Sequence, residues 1–144
     1  MSNIVIVSGG FDPLHYGHIR YLTAARELGD ELIVGLNSDE WLRNKKGNYF
    51  LPWHERYYIM ANLRMVDRVY EFNDSDGTAL CLLSYVRLHR PFDHLIVANG
   101  GDRTAQNNAE FPFQDDNIEF VFGVGGEYKT NSSSEILKRW KDLP

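Results

Sequence analysis

The sequence predicts an α/β domain: a Rossmann-like parallel sheet of about five strands flanked by helices. Three observations lead there. Short apolar runs at residues 4–7, 32–36, 68–72, 94–98 and 118–122 have the length of buried strands. Stretches with helical spacing of apolar residues lie between them, so strand and helix alternate, which implies βαβ units with right-handed crossovers. Segments rich in Gly, Asn and Ser follow the runs at one end. At 144 residues the chain has room for a single domain, taken as residues 1–144, with a substantial core.

The first strand, Ile4-Val5-Ile6-Val7, feeds a turn that reads Gly9-Gly10-Phe11-Asp12-Pro13-Leu14-His15-Tyr16-Gly17-His18. A helix starts near Leu14, with Ile19, Leu22, Ala25 and Leu28 along it. After the second strand, residues 37–47 read as a loop bearing Lys45 and Lys46, with Gly47 giving it freedom. Pro52 opens a second helix that runs to about Arg64. The third helix spans about Thr78 to His89, capped by Asp76 or Thr78 and ended before Pro91. The fourth strand leads to Gly100-Gly101-Asp102, and the fifth to Gly125-Gly126. A last helix, Ser132 to Lys141, places Ile136, Leu137 and Trp140 on one side.

A helix start offers unpaired N–H groups and the positive end of a dipole, which suits a phosphate. His15 and His18 share one face there, and Gly17 between them has no side chain to block a ligand. Asp12 either orients a histidine or only closes the turn before Pro13. Lys45 and Lys46, in Arg43-Asn44-Lys45-Lys46, read by themselves as a solvated basic turn. Ligands of open parallel sheets bind beyond the carboxyl ends of strands, at a switch in strand order. All the candidate motifs fall at such ends. Gly125-Gly126 is not a Walker loop, because no Gly-Lys-Ser/Thr follows.

Composition narrows the partners. Hydrophobic residues make up 43% and charged residues 24%, as in ordinary soluble globular domains. A net charge of −5 without a basic block argues against nucleic acid. The single cysteine, Cys81, excludes an intramolecular disulfide, fits a reducing compartment, and is expected to be a buried apolar residue. The N-terminus enters a strand directly, with no signal peptide expected, and no apolar run approaches 18 residues. A cytoplasmic location without membrane contact is expected. His54, His89 and His94 read as surface or structural residues, and no side-chain cluster is spaced as a metal cage.

His15-Tyr16-Gly17-His18 resembles the His-x-Gly-His motif of the cytidylyltransferase-like nucleotidyltransferases. The likeness continues through Leu28-Gly29-Asp30, Asn37-Ser38-Asp39, Lys45-Lys46-Gly47, Pro52 with Glu55-Arg56, Val66-Asp67, Gly100-Gly101-Asp102 and Ser132-Ser133-Ser134. Members often carry an arginine upstream of the serine motif, where this chain has Glu127 and Lys129. The resemblance implies transfer of a nucleoside monophosphate to a phosphorylated small molecule, with release of pyrophosphate. It implies catalytic roles for His15, His18 and Lys46, with His18 stabilising the transition state. Gly9, Gly10, Phe11, Gly17, Gly101, Asp102, Ser132, Ser133 and Ser134 would join those three in binding the nucleotide. Asp39 and Lys45 would bind the acceptor. Mg²⁺ would arrive on the nucleotide phosphates with few protein ligands, none of them assigned to a residue, and a homodimer is expected.

CTP with a glycerol-3-phosphate-type acceptor is the leading version, because the chain is a short single domain. Adenylyl transfer to a sugar 1-phosphate, as in the heptose branch, is the alternative. Residues 37–39, 46–47 and 100–102 resemble that branch at least as well. A non-catalytic nucleotide-binding module is the competing class. A class I aminoacyl-tRNA synthetase fragment is set aside on length, acidity and the absence of a Lys-Met-Ser-Lys-Ser-like loop.

Overall fold

Ile4, Val5, Ile6 and Val7 are all buried, so the middle of β1 (Asn3–Gly9) is covered on both faces. Such a strand belongs at the centre of a parallel sheet. β2 (Glu31–Leu36), β3 (Arg68–Glu71), β4 (His94–Gly100) and β5 (Ile118–Val124) complete five strands in the order β3-β2-β1-β4-β5, every pairing parallel. The computed structural model describes residues 1–101, 110, 113–126 and 132–144. The chain leaves β1 toward β2 and β3, then returns to the other side of β1 with β4. The order therefore switches between β1 and β4, and a crevice opens beyond their carboxyl ends.

The period-2 alternation of the strands divides the core. Val5, Val7, Leu32, Val34, Leu36, Ile96 and Ala98 pack with Leu22 and Ala25 of α1 (Tyr16–Arg26) and Met60 of α3 (Trp53–Ala61). Ile4, Ile6, Ile33, Leu95 and Val97 point the other way, against Leu82, Leu83 and Val86 of α4 (Leu80–His89). Helices thus cover both faces. None of the helices among the described residues is long and apolar enough to cross a membrane.

Two expectations are corrected. Residues 39–46 are not a loop but a helix, α2 (Asp39–Lys46). Ser38 caps it through Oγ, which accepts from Trp41 N at 3.1 Å, and Gly47 ends it in the left-handed region at φ 91°. Only Leu42 of its eight residues is buried, so no apolar stripe announced it. Gly47 is a cap and not a source of loop freedom. Cys81 is exposed, because it lies one position before Leu82 and Leu83, which take the face that meets the sheet. The last helix, α5 (Ser133–Lys141), begins after its cap Ser132.

Candidate active site

The turn after β1 is shaped by close approaches. Phe11 adopts a left-handed φ of 50°, and its ring meets His18 edge-on at 4.9 Å. A Cβ at Gly10 would stand 2.7 Å from Leu42 Cδ2, so the glycine lets the Leu42 side chain of α2 rest directly on the turn. Asp12, 1% exposed, does neither of the jobs the sequence suggested. Its carboxylate accepts from the backbone N–H of Phe50 (2.6 Å) and Leu51 (2.8 Å), and its carbonyl oxygen accepts from Lys46 Nζ at 3.0 Å. Asp12 therefore ties the segment before α3 to the turn and holds Lys46 over it.

His15 is the N-cap of α1. Its Nδ1 accepts from Gly17 N at 3.0 Å, while His18 Nδ1 accepts from His15 N at 3.2 Å. The two rings stack with centroids 3.8 Å apart. Because each Nδ1 is an acceptor, a neutral ring must carry its proton on Nε2. The reciprocal cap thus sets the tautomer of both histidines and makes each Nε2 a donor. Both rings line the cavity described below.

Burial, and then the neighbouring Lys46 charge, lower the His15 pKa. The unfolded chain consequently binds more protons than the folded one below about pH 6.5, the ordinary histidine value. This contribution to stability is complete above that value and is lost as pH falls from there toward the lower folded pKa. A protonated Nδ1 also ceases to accept from Gly17. Thermal unfolding of the apo protein is therefore expected to weaken from pH 7.5 to 5.5 more steeply in wild type than in His15→Asn, which keeps a capping acceptor without titrating. Equal slopes would show that the cap does not couple to the proton.

Lys46 has its pKa lowered by burial, an effect opposed by Asp12 and reinforced by Arg56. Lys45 lies over the Trp41 ring at 4.6 Å. Beneath them, Arg56 forms a buried knot. Its side chain is 1% exposed and donates to Leu51 O (2.9 Å), Gly10 O (3.0 Å), Asn37 O (2.8 Å) and Asp39 Oδ1 (2.6 Å). Asp74, also buried, accepts from Asn37 Nδ2 and from the N–H and Oγ of Ser38, fixing the start of α2. The Asp39 carboxylate is thus turned to Arg56, and Asp39 does not line the cavity, in contrast to the expected acceptor contact.

The three serines at α5 divide their work. Ser132 Oγ accepts from Glu135 N at 3.0 Å as the cap, Ser133 Oγ donates to Pro13 O at 2.8 Å, and Ser134 stays exposed on the cavity wall. The Ser133 contact brings the start of α5 onto the turn after β1. Tyr21 supports the remaining wall: its hydroxyl donates to Ala98 O at 2.7 Å, and its ring lies where a Cβ on Gly100 would fall at 2.8 Å. Gly101 and Gly125 both have positive φ. Asp102 and Lys129 lie outside the described residues.

These parts enclose a cavity of about 430 Å³ at the ends of β1 and β4. Gly9, Gly10, Phe11, His15, Gly17, His18, Lys45, Lys46, Gly101 and Ser132 to Ser134 all line it, so the structure brings nearly all the expected residues together. The cavity straddles the sheet. Of its lining, Phe11, Tyr21 and Val124 belong to the α1-side core, and Ala79, Leu82, Leu83 and Val97 to the α4-side core. Trp41, Tyr21 and Glu110 escaped the sequence reading because each depends on a contact across the fold. Arg56 was visible only as a motif match. Among the described residues no three His, Cys, Asp or Glu side chains gather as a metal cage.

A crevice at a strand switch, floored by a glycine turn and faced by imidazole donors, a lysine and two helix starts, defines a nucleotide-binding Rossmann-like domain suited to a polyphosphate. The chain belongs to the cytidylyltransferase-like family, whose model matches residues 6–139. It is 36% identical over 144 residues to the bifunctional protein HldE of Pelobacter propionicus, covering 96% of this chain and 28% of that protein. It is 34% identical over 144 residues to that of Geobacter sulfurreducens, with 96% and 28% covered. The chain thus spans just over a quarter of the length of these relatives. Among solved structures, a lipopolysaccharide core biosynthesis protein from Thermoplasma volcanium superposes with a TM-score of 0.69 at 24% identity, covering 91% of this chain and all of that one. A bifunctional NMN adenylyltransferase/ADP ribose pyrophosphatase from Francisella tularensis gives 0.63 at 16% identity, with 99% and 43% covered. At these identities the likeness is one of fold.

Proposed function

We propose that the chain transfers an adenylyl group from ATP to the phosphate of a sugar 1-phosphate, releasing pyrophosphate. The observation that carries the transferase reading is the pair of stacked imidazoles at the start of α1, each with Nε2 as its donor, beside Lys46 in an open cavity. The choice of adenylyl and sugar rests on the relatives named HldE, matched along nearly the whole chain, and on the resemblance of residues 37–39, 46–47 and 100–102 to the heptose branch. These favour it over the CTP and glycerol-3-phosphate version expected at first.

An acceptor phosphate oxygen attacks the α-phosphorus in line. The new P–O bond forms as the bond to the β-phosphate oxygen breaks, and pyrophosphate leaves with that electron pair. The acceptor phosphate is already ionised, so no strong general base is needed, and the protein positions the reactants and neutralises charge. The Nε2–H groups of His15 and His18 donate to phosphoryl oxygens, with His18 serving the transition state. Lys46 spans the phosphates of both substrates, and Lys45 approaches the acceptor. The α5 start adds N–H groups and Ser134. Asp39 acts at one remove, by positioning Arg56 and the turn. The magnesium–nucleotide complex is the substrate. A homodimer remains part of the proposal, checked by light scattering at micromolar concentration.

The experiment is pyrophosphate release with Mg²⁺, crossing ATP, CTP, UTP and GTP against sugar 1-phosphates, glycerol 3-phosphate and phosphocholine. Turnover with ATP and a sugar 1-phosphate is expected. Turnover with CTP and glycerol 3-phosphate alone would return the reading to the other branch. Nucleotide binding without pyrophosphate release for any pair would make the chain a binding module. Lys46→Ala is expected to raise KM for both substrates about tenfold or more, the scale of a charged hydrogen bond, with an unchanged melting temperature. Unaltered KM values would leave Lys46 as a tether between α2 and the turn after β1.

A further inference from the structure

We infer that Asn37 is a specificity-determining residue: its side-chain amide, oriented by Asp74, reads a sugar hydroxyl, supplied by the ribose of the nucleotide or by the body of the acceptor. This rests on the reading of the cavity as the site of a nucleotide and a phosphorylated sugar. Asn37 lines the cavity and is 5% exposed. Its backbone is held on both sides. The N–H continues the ladder past the end of β2 by donating to Gly9 O at 2.9 Å, and the carbonyl accepts from Arg56 at 2.8 Å. The side chain is held at one end alone. Nδ2 donates to Asp74 Oδ2 at 2.9 Å, whereas Oδ1 accepts no hydrogen bond from the described residues.

Asp74 decides which way the amide faces. A carboxylate only accepts, and Asp74 also takes the N–H and the Oγ of Ser38, each at 2.8 Å. A flipped amide would set Oδ1 against the Asp74 oxygen and lose the bond, so Nδ2 must face Asp74. Oδ1 and the second hydrogen of Nδ2 are then the part of the side chain not committed to the protein. A buried acceptor without a partner is rare and unfavourable, and a ligand that brings a donor relieves it. A phosphate oxygen only accepts and cannot pair with Oδ1. A hydroxyl can, and its own oxygen can take the remaining N–H. The strands place a second neutral polar group nearby. Ile6 and Ile33 belong to the α4-side core, and the next residues on that face are Ser8 and Gly35, which pair in register. Asn37 follows Gly35 on the same face, and Ser8 is exposed on the cavity wall. Two uncharged polar side chains thus stand on adjacent strands where a sugar ring can meet both.

Two series of probes, titrated by calorimetry, separate the sources of the hydroxyl. α,β-Methylene-ATP and its 2′-deoxy and 3′-deoxy forms, with Mg²⁺, test the ribose. Glucose 1-phosphate and its 2-, 3-, 4- and 6-deoxy forms, added to protein saturated with the ATP analogue, test the acceptor. In one series wild type is expected to bind one deoxy probe about tenfold or more weakly than its parent, the scale of a hydrogen bond to a buried group. Asn37→Leu is expected to close that gap to within about threefold and to leave the other ratios unchanged. It should fold, because Asp74 keeps both Ser38 donors. Asp74→Asn keeps an oxygen for Asn37 Nδ2 and Ser38 N, and is expected to keep the gap, which a merely structural pairing would not predict. In wild type, the side-chain amide resonance of Asn37 is expected to move with the parent compound and to stay near its free position with that deoxy probe. The inference is overturned if no deoxy probe loses affinity in either series, failure of both parents to bind included. It is equally overturned if Asn37→Leu leaves every ratio as in wild type, or if the Asn37 resonance responds alike to both compounds. The expected ratios without pyrophosphate release overturn the transferase reading alone, and pyrophosphate release with flat ratios overturns the inference alone.

Discussion

His18→Ala is expected to fold as wild type does and to lose at least ~100-fold in kcat, the usual effect of removing a donor that stabilises transition-state charge. The fold survives because the ring is only partly buried, and the contacts it gives up at the start of α1 are the 3.2 Å bond accepted from His15 N and its packing on His15 and Phe11. Losing that bond costs about 1 kcal/mol. The chemistry fails because the His15 Nε2–H is then the one imidazole donor left at the start of α1, and the bond that His15 Nδ1 accepts from Gly17 N holds that ring at its own place. KM for the nucleotide should change much less than kcat, since Lys46 and the glycine turn remain. Single-turnover pyrophosphate release, read beside a circular-dichroism melt, checks both halves of the expectation. A variant with wild-type turnover would remove His18 from the mechanism.

Arg56→Ala is expected to destabilise the protein by about 3–5 kcal/mol, the range for breaking a buried charged network. At this chain length the melting temperature should fall by roughly 10 °C. The guanidinium joins three segments at once: the turn after β1 through Gly10 O, the end of β2 through Asn37 O, and the approach to α3 through Leu51 O. Removing it leaves those carbonyls and the Asp39 carboxylate without their donor. Arg56→Lys should recover only a fraction, because a single ammonium cannot reproduce the planar fork. The Gly10 contact also means that any folded fraction should bind nucleotide more weakly. Chemical denaturation with and without ATP separates the two effects. A melting temperature within 2–3 °C of wild type would show that water replaces the guanidinium well, against the usual cost of leaving buried acceptors unpaired.

The sheet and four of the five helices were legible along the chain because their signals are local. Apolar runs of strand length, helical spacing at Leu22 and Ala25, and serine ahead of α5 each reflect a few adjacent residues. The cluster at α1 was legible for the same reason, since a glycine turn and two histidines three apart are placed together by any helix that starts there. α2 was not, because its single buried residue, Leu42, meets Gly10 of a distant turn and leaves no stripe to read. Its caps, Ser38 and Gly47, were present but carry little weight without a periodic pattern between them. Asp39 was misplaced because the pull of Arg56 on it acts across the fold.

The order of apolar and polar residues was thus enough for the fold class and the position of the crevice. Only the tertiary structure decided the tether of Lys46 to the Asp12 carbonyl, the buried knot around Arg56, and the contact of the Glu110 carboxylate with the start of α4. The reason is one of range. Secondary structure, helix-start chemistry and the tautomers set by the histidine cap arise between neighbours in sequence, whereas the buried charge pair and the tethers arise between groups 17 to 46 residues apart that meet only when the sheet closes.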